Sequence, residues 1–155
     1  MIVLGLTGSI ATGKSTVAKM FENLEVQIFN DDKVANKIIS SKRMVKYFKE
    51  SFKDTIINNK LSKNKLKDIV LKDINRLKQL ENIVHPLVNL KRNRFILRHK
   101  LVSPKAVIMF DCPLLFEAGV NKQCDYVIVT HCSLDTQRKR AFARGNITEN
   151  EFNFI

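Results

Sequence analysis

Apolar and polar positions change period several times along this chain, and each change marks an element. Residues 2–7, Ile-Val-Leu-Gly-Leu-Thr, form a short apolar run of β-prone side chains. From Lys14 to Leu24 the period lengthens, and Val17, Ala18, Phe21 and Leu24 recur on one helical face. Residues 26–30 alternate again and run into Asp31 and Asp32, which predicts a second strand with acids at its carboxyl end. A long helical stretch follows. Val34, Ile38 and Ile39 predict one helix, and Val45, Phe48 and Phe52 another. Residues 54–60 read as a polar loop. Ser62 reads as an N-cap for Leu66, Ile69 and Val70, and Ile74, Leu77, Leu80 and Val84 carry the helical spacing onward. His85-Pro86 is expected to break it, because proline disfavours helix at the preceding residue. Beyond the break, Leu87, Leu90, Leu97 and Leu101 predict one face of a further helix, flanked by a basic stripe of Lys91, Arg94 and Arg98. No strand is convincing between residues 33 and 101.

The final third returns to strands. Residues 106–111, Ala-Val-Ile-Met-Phe-Asp, and 125–130, Asp-Tyr-Val-Ile-Val-Thr, are apolar runs of strand length. Residues 134–143 read as helix, with Arg138, Lys139, Arg140 and Arg144 clustered in and just after it. Thr148-Glu149-Asn150-Glu151 matches a capping box and predicts another helix start.

The loop between the first strand and first helix gives this order its chemistry. Gly8-Ser9-Ile10-Ala11-Thr12-Gly13-Lys14-Ser15 fits the P-loop pattern, flanked as that pattern requires by a strand and a helix. Gly8 and Gly13 permit backbone conformations closed to other residues, so that successive amides, those of Ala11 and Thr12 included, turn toward phosphate oxygens. The helix N-terminus adds partial positive charge. Lys14 reaches toward β- and γ-phosphates, Ser15 offers a hydroxyl to Mg²⁺, and Thr16 is placed for an α-phosphate. A nucleoside triphosphate and Mg²⁺ are the expected ligands. Asp111, at the end of an apolar strand, resembles a Walker B element whose carboxylate helps hold Mg²⁺. Asp31 and Asp32 stand at the end of a parallel sheet where ligands gather, so each is a candidate for chemistry, and one of them also suits a helix start. The fold class expected is α/β: a P-loop NTPase three-layer fold with a parallel sheet, a helical substrate-binding insert and a lid.

Charge sharpens the picture of the insert. The chain of 155 residues carries a net charge of +12. Residues 33–105 hold 20 Lys/Arg against 5 Asp/Glu, a net of +15, while the remainder holds 7 against 10, a net of −3. A polyanionic small molecule, a nucleic acid or a plain solvated lysine-rich surface each account for this. No basic motif interleaved with aromatic residues favours nucleic acid. No apolar run approaches a membrane span, no basic n-region precedes the first strand, and three cysteines without a CxxC pair fit free thiols, so a cytoplasmic protein is expected.

Taken in order, these pieces resemble the dephospho-CoA kinase family. Gly5-Leu6-Thr7-Gly8-Ser9-Ile10 through Lys14-Ser15-Thr16 resembles its opening. Asn30-Asp31-Asp32 stands where the family has Asp-Ala-Asp, His85-Pro86-Leu87-Val88 resembles its His-Pro motif, and Pro113-Leu114-Leu115-Phe116-Glu117 resembles its Pro-Leu-Leu-hydrophobic-Glu motif. Gln137, Arg140 and Arg144 fall at its Gln-x-x-Arg-x-x-x-Arg lid spacing. The resemblance implies one kinase domain over 1–155, with core 1–32 and 103–137, acceptor-binding insert 33–102 and lid 138–150. It implies transfer of a phosphoryl group from ATP to the ribose 3′-hydroxyl of dephospho-CoA by a monomer. Lys14, Asp32 and Arg140 would be catalytic, Arg144 would join the loop in holding nucleotide, and Asp32, His85, Leu114, Leu115, Phe116 and Glu117 would meet the acceptor. Read without the family, His85 is a helix-end residue whose ring caps backbone carbonyls. Asn30 replaces the first acid of the family's triplet. The resemblance also implies some tens of further residues, including a strand beside 125–130 and part of the adenine pocket. Another small-molecule kinase of the same fold, a shortened inactive form, and a nucleic-acid-binding ATPase are the competing expectations.

Overall fold

The protein is described by a computed structural model covering residues 1–145, 149 and 152. The capping box at 148–151 therefore lies largely outside the described residues. In chain order the elements are β1 (Ile2–Thr7), α1 (Lys14–Asn23), β2 (Gln27–Asn30), α2 (Asp31–Ile39), α3 (Met44–Ser51), β3 (Ile56–Ile57), β4 (Lys60–Leu61), α4 (Lys63–Lys72), α5 (Ile74–Val102), β5 (Val107–Asp111), β6 (Tyr126–Val129) and α6 (Leu134–Ala143). They fall into two compact units, residues 1–30 with 99–155, and residues 31–98.

The first unit is built on a four-stranded, wholly parallel sheet in the order β2-β5-β1-β6. Parallel strands covered on both faces need near-continuous apolar runs, and β5 supplies one, with Ile108, Met109 and Phe110 fully buried. Leu6, Met109 and Ala18 of α1 form a core against which Val17, Phe21, Ile28 and Ile128 pack. Leu24, expected on the same face, caps α1 and is exposed. Although β2 follows β1 in sequence, β5 lies between them, and β6 lies on the other side of β1. The connection from β1 thus runs to one side of the sheet and that from β5 to the other, which opens a crevice at the carboxyl ends of these two neighbouring strands. The glycine-rich loop begins there. On its outer side β6 is a sheet edge among the described residues, with Tyr126 65% and Val129 60% exposed.

The second unit is mostly helical and departs from expectation in three places. Residues 54–60 are more than a loop: a short 3₁₀ turn at Lys53–Thr55 leads into the β3–β4 hairpin. Asn58 and Asn59, with φ of 49° and 58°, adopt the left-handed conformations of a tight hairpin turn, and the arms are too short to show alternation. Ser62 caps α4 as expected, its hydroxyl accepting from the Lys65 amide. The helical spacing that follows is split, however, because Asp73 ends α4 and caps α5, its Oδ1 accepting from the Asn75 amide at 2.8 Å. The expected break at Pro86 does not occur: α5 runs through it without interruption. Proline removes one helix bond, to the Asn82 carbonyl, but burial of Val84 and Val88 on either side holds the turn in the helix. The buried stripe is Val84, Val88 and Arg92. The leucines expected to face inward, Leu90, Leu97 and Leu101, are exposed. The unit's core is centred on Phe48 and Phe52, packed edge to face at 5.5 Å, with Met44, Val45 and Leu66. Among the described residues no helix is long and apolar enough to cross a membrane.

Candidate active site

The loop after β1 has the backbone its glycines require. Gly8 has φ 151°, and a Cβ there would lie 2.0 Å from the Thr130 hydroxyl and 2.7 Å from its carbonyl oxygen. Gly13 has φ 100° and begins α1 without a side-chain cap, so the helix presents its N-terminal amides to the loop. Ala11 adopts a positive φ of 58° between them. Thr12 fastens the loop from within, donating to the Ser9 carbonyl at 2.8 Å and sharing a 2.8 Å bond with the Thr130 hydroxyl. Ser15 and Thr16 are exposed on the first turn of α1.

Beneath the loop, Lys14 Nζ donates to Asp111 Oδ1 at 2.5 Å, and the two side chains are only 15% and 5% exposed. The other carboxylate oxygen, Oδ2, accepts from the amide of Asn30. Sheet register produces this arrangement, since Asn30 of β2 and Asp111 of β5 are paired directly. Ser15 and Asp111 are hard oxygen donors of the kind Mg²⁺ takes. Among the described residues no cluster of three or more His, Cys, Asp or Glu forms a metal cage.

The helix after β6 is tied to the same loop. Buried Gln137 of α6 donates to the Ser9 hydroxyl at 3.0 Å and to the Ile10 carbonyl at 2.7 Å. Its neighbour Arg140 brings Nη1 to 3.9 Å from where a Gly13 Cβ would stand. Arg138 instead pairs with Glu149 and stacks on Phe142, while Arg144 is exposed at the end of α6. At the end of β5, the Pro113 carbonyl accepts from the Thr7 hydroxyl at 2.8 Å. Leu115 is fully buried against Gly5, while Leu114, Phe116 and Glu117 on the same turn are exposed.

Three sequence candidates, Asp31, Asp32 and His85, belong to the second unit. Asp32 is exposed in the first turn of α2. His85 is exposed in mid-α5, and because the helix does not end there it caps no helix terminus. Asp31, its neighbour's rival for chemistry, is engaged by Arg92 at 2.5 Å. Sequence reasoning noted Asn30 only as the replacement for the first acid of the triplet, without its contact to Asp111, and passed over Thr130 and Arg92. Of the last two only Arg92 carried a signal, because it continues the four-residue spacing of Val84 and Val88.

A family model described as dephospho-CoA kinase matches residues 2–155. The chain belongs to the dephospho-CoA kinase family. A dephospho-CoA kinase of Bartonella quintana is 36% identical over 155 residues, covering the whole chain and 79% of that protein. One from Mesorhizobium japonicum is 38% identical over 149 residues, covering 96% of the chain and 75% of the relative. Among solved structures, one from Thermus thermophilus superposes with a TM-score of 0.78 at 28% identity, covering 99% of this chain and 77% of that one. A dephospho-CoA kinase structure from Campylobacter jejuni, at 18% identity and TM-score 0.60, covers 99% of this chain and shares the fold. The parallel sheet and glycine-rich loop are thus those of a kinase family of P-loop NTPase fold.

Proposed function

We propose that this chain transfers the γ-phosphoryl group of ATP to the ribose 3′-hydroxyl of dephospho-CoA, releasing ADP and coenzyme A, the last step of coenzyme A synthesis. The observation that carries the reading is the Lys14–Asp111 pair at the floor of the glycine-rich loop, in a chain of the dephospho-CoA kinase family.

Phosphoryl transfer asks a protein for position and charge more than for covalent chemistry. The loop amides from Gly8 to Lys14, with the α1 N-terminus behind them, bind the β- and γ-phosphates. Lys14 leaves Asp111 for those phosphates when nucleotide enters. Ser15 and Asp111 would hold Mg²⁺, which supplies charge neutralisation between the phosphates when bound. Arg140, held near Gly13 by the Gln137 anchor of α6, neutralises charge that spreads over the transferring oxygens. Arg144 adds to nucleotide binding. In the second unit Asp32 accepts the proton of the 3′-hydroxyl. His85, Leu114, Phe116 and Glu117 contact the acceptor, and buried Leu115 anchors the turn that carries the last three. The protein works in the cytoplasm on these small molecules.

A coupled ADP-release assay with ATP, Mg²⁺ and dephospho-CoA tests this directly. Release that depends on the acceptor, and that falls at least about 100-fold in Lys14→Ala, is the expected result. No acceptor-dependent release from the unaltered chain overturns the reading.

A further inference from the structure

Arg92 is the largest fully buried side chain among the described residues, 2% exposed in the middle of α5. A guanidinium withdrawn from water costs several kcal/mol, roughly, unless it is paired with good geometry. Asn89 and Asp31 are among its partners within the second unit. Nη1 donates to Asn89 Oδ1, one turn earlier on α5, at 2.5 Å, and Nη2 donates to Asp31 Oδ2 at 2.5 Å. Asp31 is the first residue of α2. A carboxylate at that place ordinarily serves its own helix, whose N-terminal amides attract it. Here one oxygen is given to Arg92, and the other, Oδ1, is buried without a hydrogen bond among the described residues.

Such a pair is a poor device for stability alone, since an apolar pair of similar volume does as well or better. Its geometric effect is definite. With Asp31 drawn onto α5, the rotation of the first turn of α2 about its own axis is fixed. The next residue, Asp32, stands about 100° further round the helix and is exposed. We infer that Arg92 is a positioning residue for phosphoryl transfer: it clamps Asp31 so that Asp32 is presented at a fixed angle to the acceptor hydroxyl. The inference rests on the role proposed for Asp32 above. It assigns the two adjacent acids different tasks, Asp31 structural and Asp32 chemical, and makes a residue of α5 responsible for the division.

Two measurements on the full chain test it, using Arg92→Lys, Arg92→Met and Asp31→Asn. Hydrogen exchange is expected to speed up at the amides opening α2 in all three while those of α3 and α4 are unchanged. In ADP release, kcat is expected to fall by about 10- to 100-fold with the KM for ATP unchanged. A general loss of structure would move every amide and the KM as well. In an Asp32→Asn background the same Arg92→Lys change is expected to have no further effect on kcat, because the group it positions is gone. Unchanged exchange at α2, or an undiminished kcat in Arg92→Lys and Asp31→Asn, overturns the inference even if Arg92→Met does not fold. Altered exchange with full kcat overturns the positioning role alone. An unaltered chain without acceptor-dependent release overturns the kinase reading and this role with it.

Discussion

Asp111 has both oxygens engaged, one by Lys14 and one by Asn30. The lysine proposed to hold phosphates is thus charge-paired with Asp111, and on that reading ATP competes with an anion fixed beside it. A ligand whose competent state is a minority binds more weakly in proportion. Asp111→Asn is accordingly expected to bind ATP about tenfold more tightly in the presence of EDTA, as Lys14 is released. Calorimetric titration with and without Mg²⁺ checks this. Affinity unchanged in EDTA means that the pair does not restrain Lys14. At this scale Gly8, Gly13, Lys14 and Asp111 were legible in the sequence because their chemistry is local to a loop or a strand end. Asn30 and Thr130 were not. Their partners lie 81 and 118 residues away and are reached only through strand register.

Elements were legible where one period persisted. All four sheet strands and α1, α3 and α6 fall within a residue or two of expectation. The failures within α5 share a cause, which is that local propensity was weighed without burial. Pro86 shows it most plainly, because the helix continues where the local rule stops it. Pro86→Ala restores a donor to the Asn82 carbonyl in a helix already formed. The interior cost of proline, about 3 kcal/mol, exceeds the unfolded-state benefit of about 1 kcal/mol that is lost. The variant is expected to be more stable by about 1–2 kcal/mol. Urea unfolding measures it, and a lower midpoint would show that the ring itself packs usefully. The exposed leucines of α5 misled for a related reason, since a buried arginine interrupted the inner stripe and made the outer one read as the core. For α6, Gln137 is the fastening. Gln137→Ala removes two hydrogen bonds to the loop, one accepted by Ser9 and one by Ile10, and is expected to raise the KM for ATP by about fivefold or more. Steady-state kinetics at varied ATP decides it.

Across the whole molecule, fold class was legible from the alternation of strand, glycine-rich loop and helix. The strand order was not, because nothing local tells β1 to pair with β5 and β6 rather than with β2. Charge was legible in amount, and the structure shows how it is divided. Residues 31–98 hold 18 Lys/Arg and 7 Asp/Glu, a net of +11, and the other unit holds 9 and 8, a net of +1. If the first of these captures the acceptor, as its charge suits, a substrate bearing a pyrophosphate is drawn there by a field that salt screens. The KM for dephospho-CoA is expected to rise about threefold or more between 50 and 200 mM salt, with kcat nearly constant. Kinetics over that range test it, and a KM indifferent to salt removes the basic unit from acceptor capture. The same field acts on what leaves. Coenzyme A carries one more phosphate than its precursor, so a surface that gathers the substrate by charge retains the product more firmly still. At low ionic strength the enzyme is then slowed by its own success, with product inhibition that eases as salt is added.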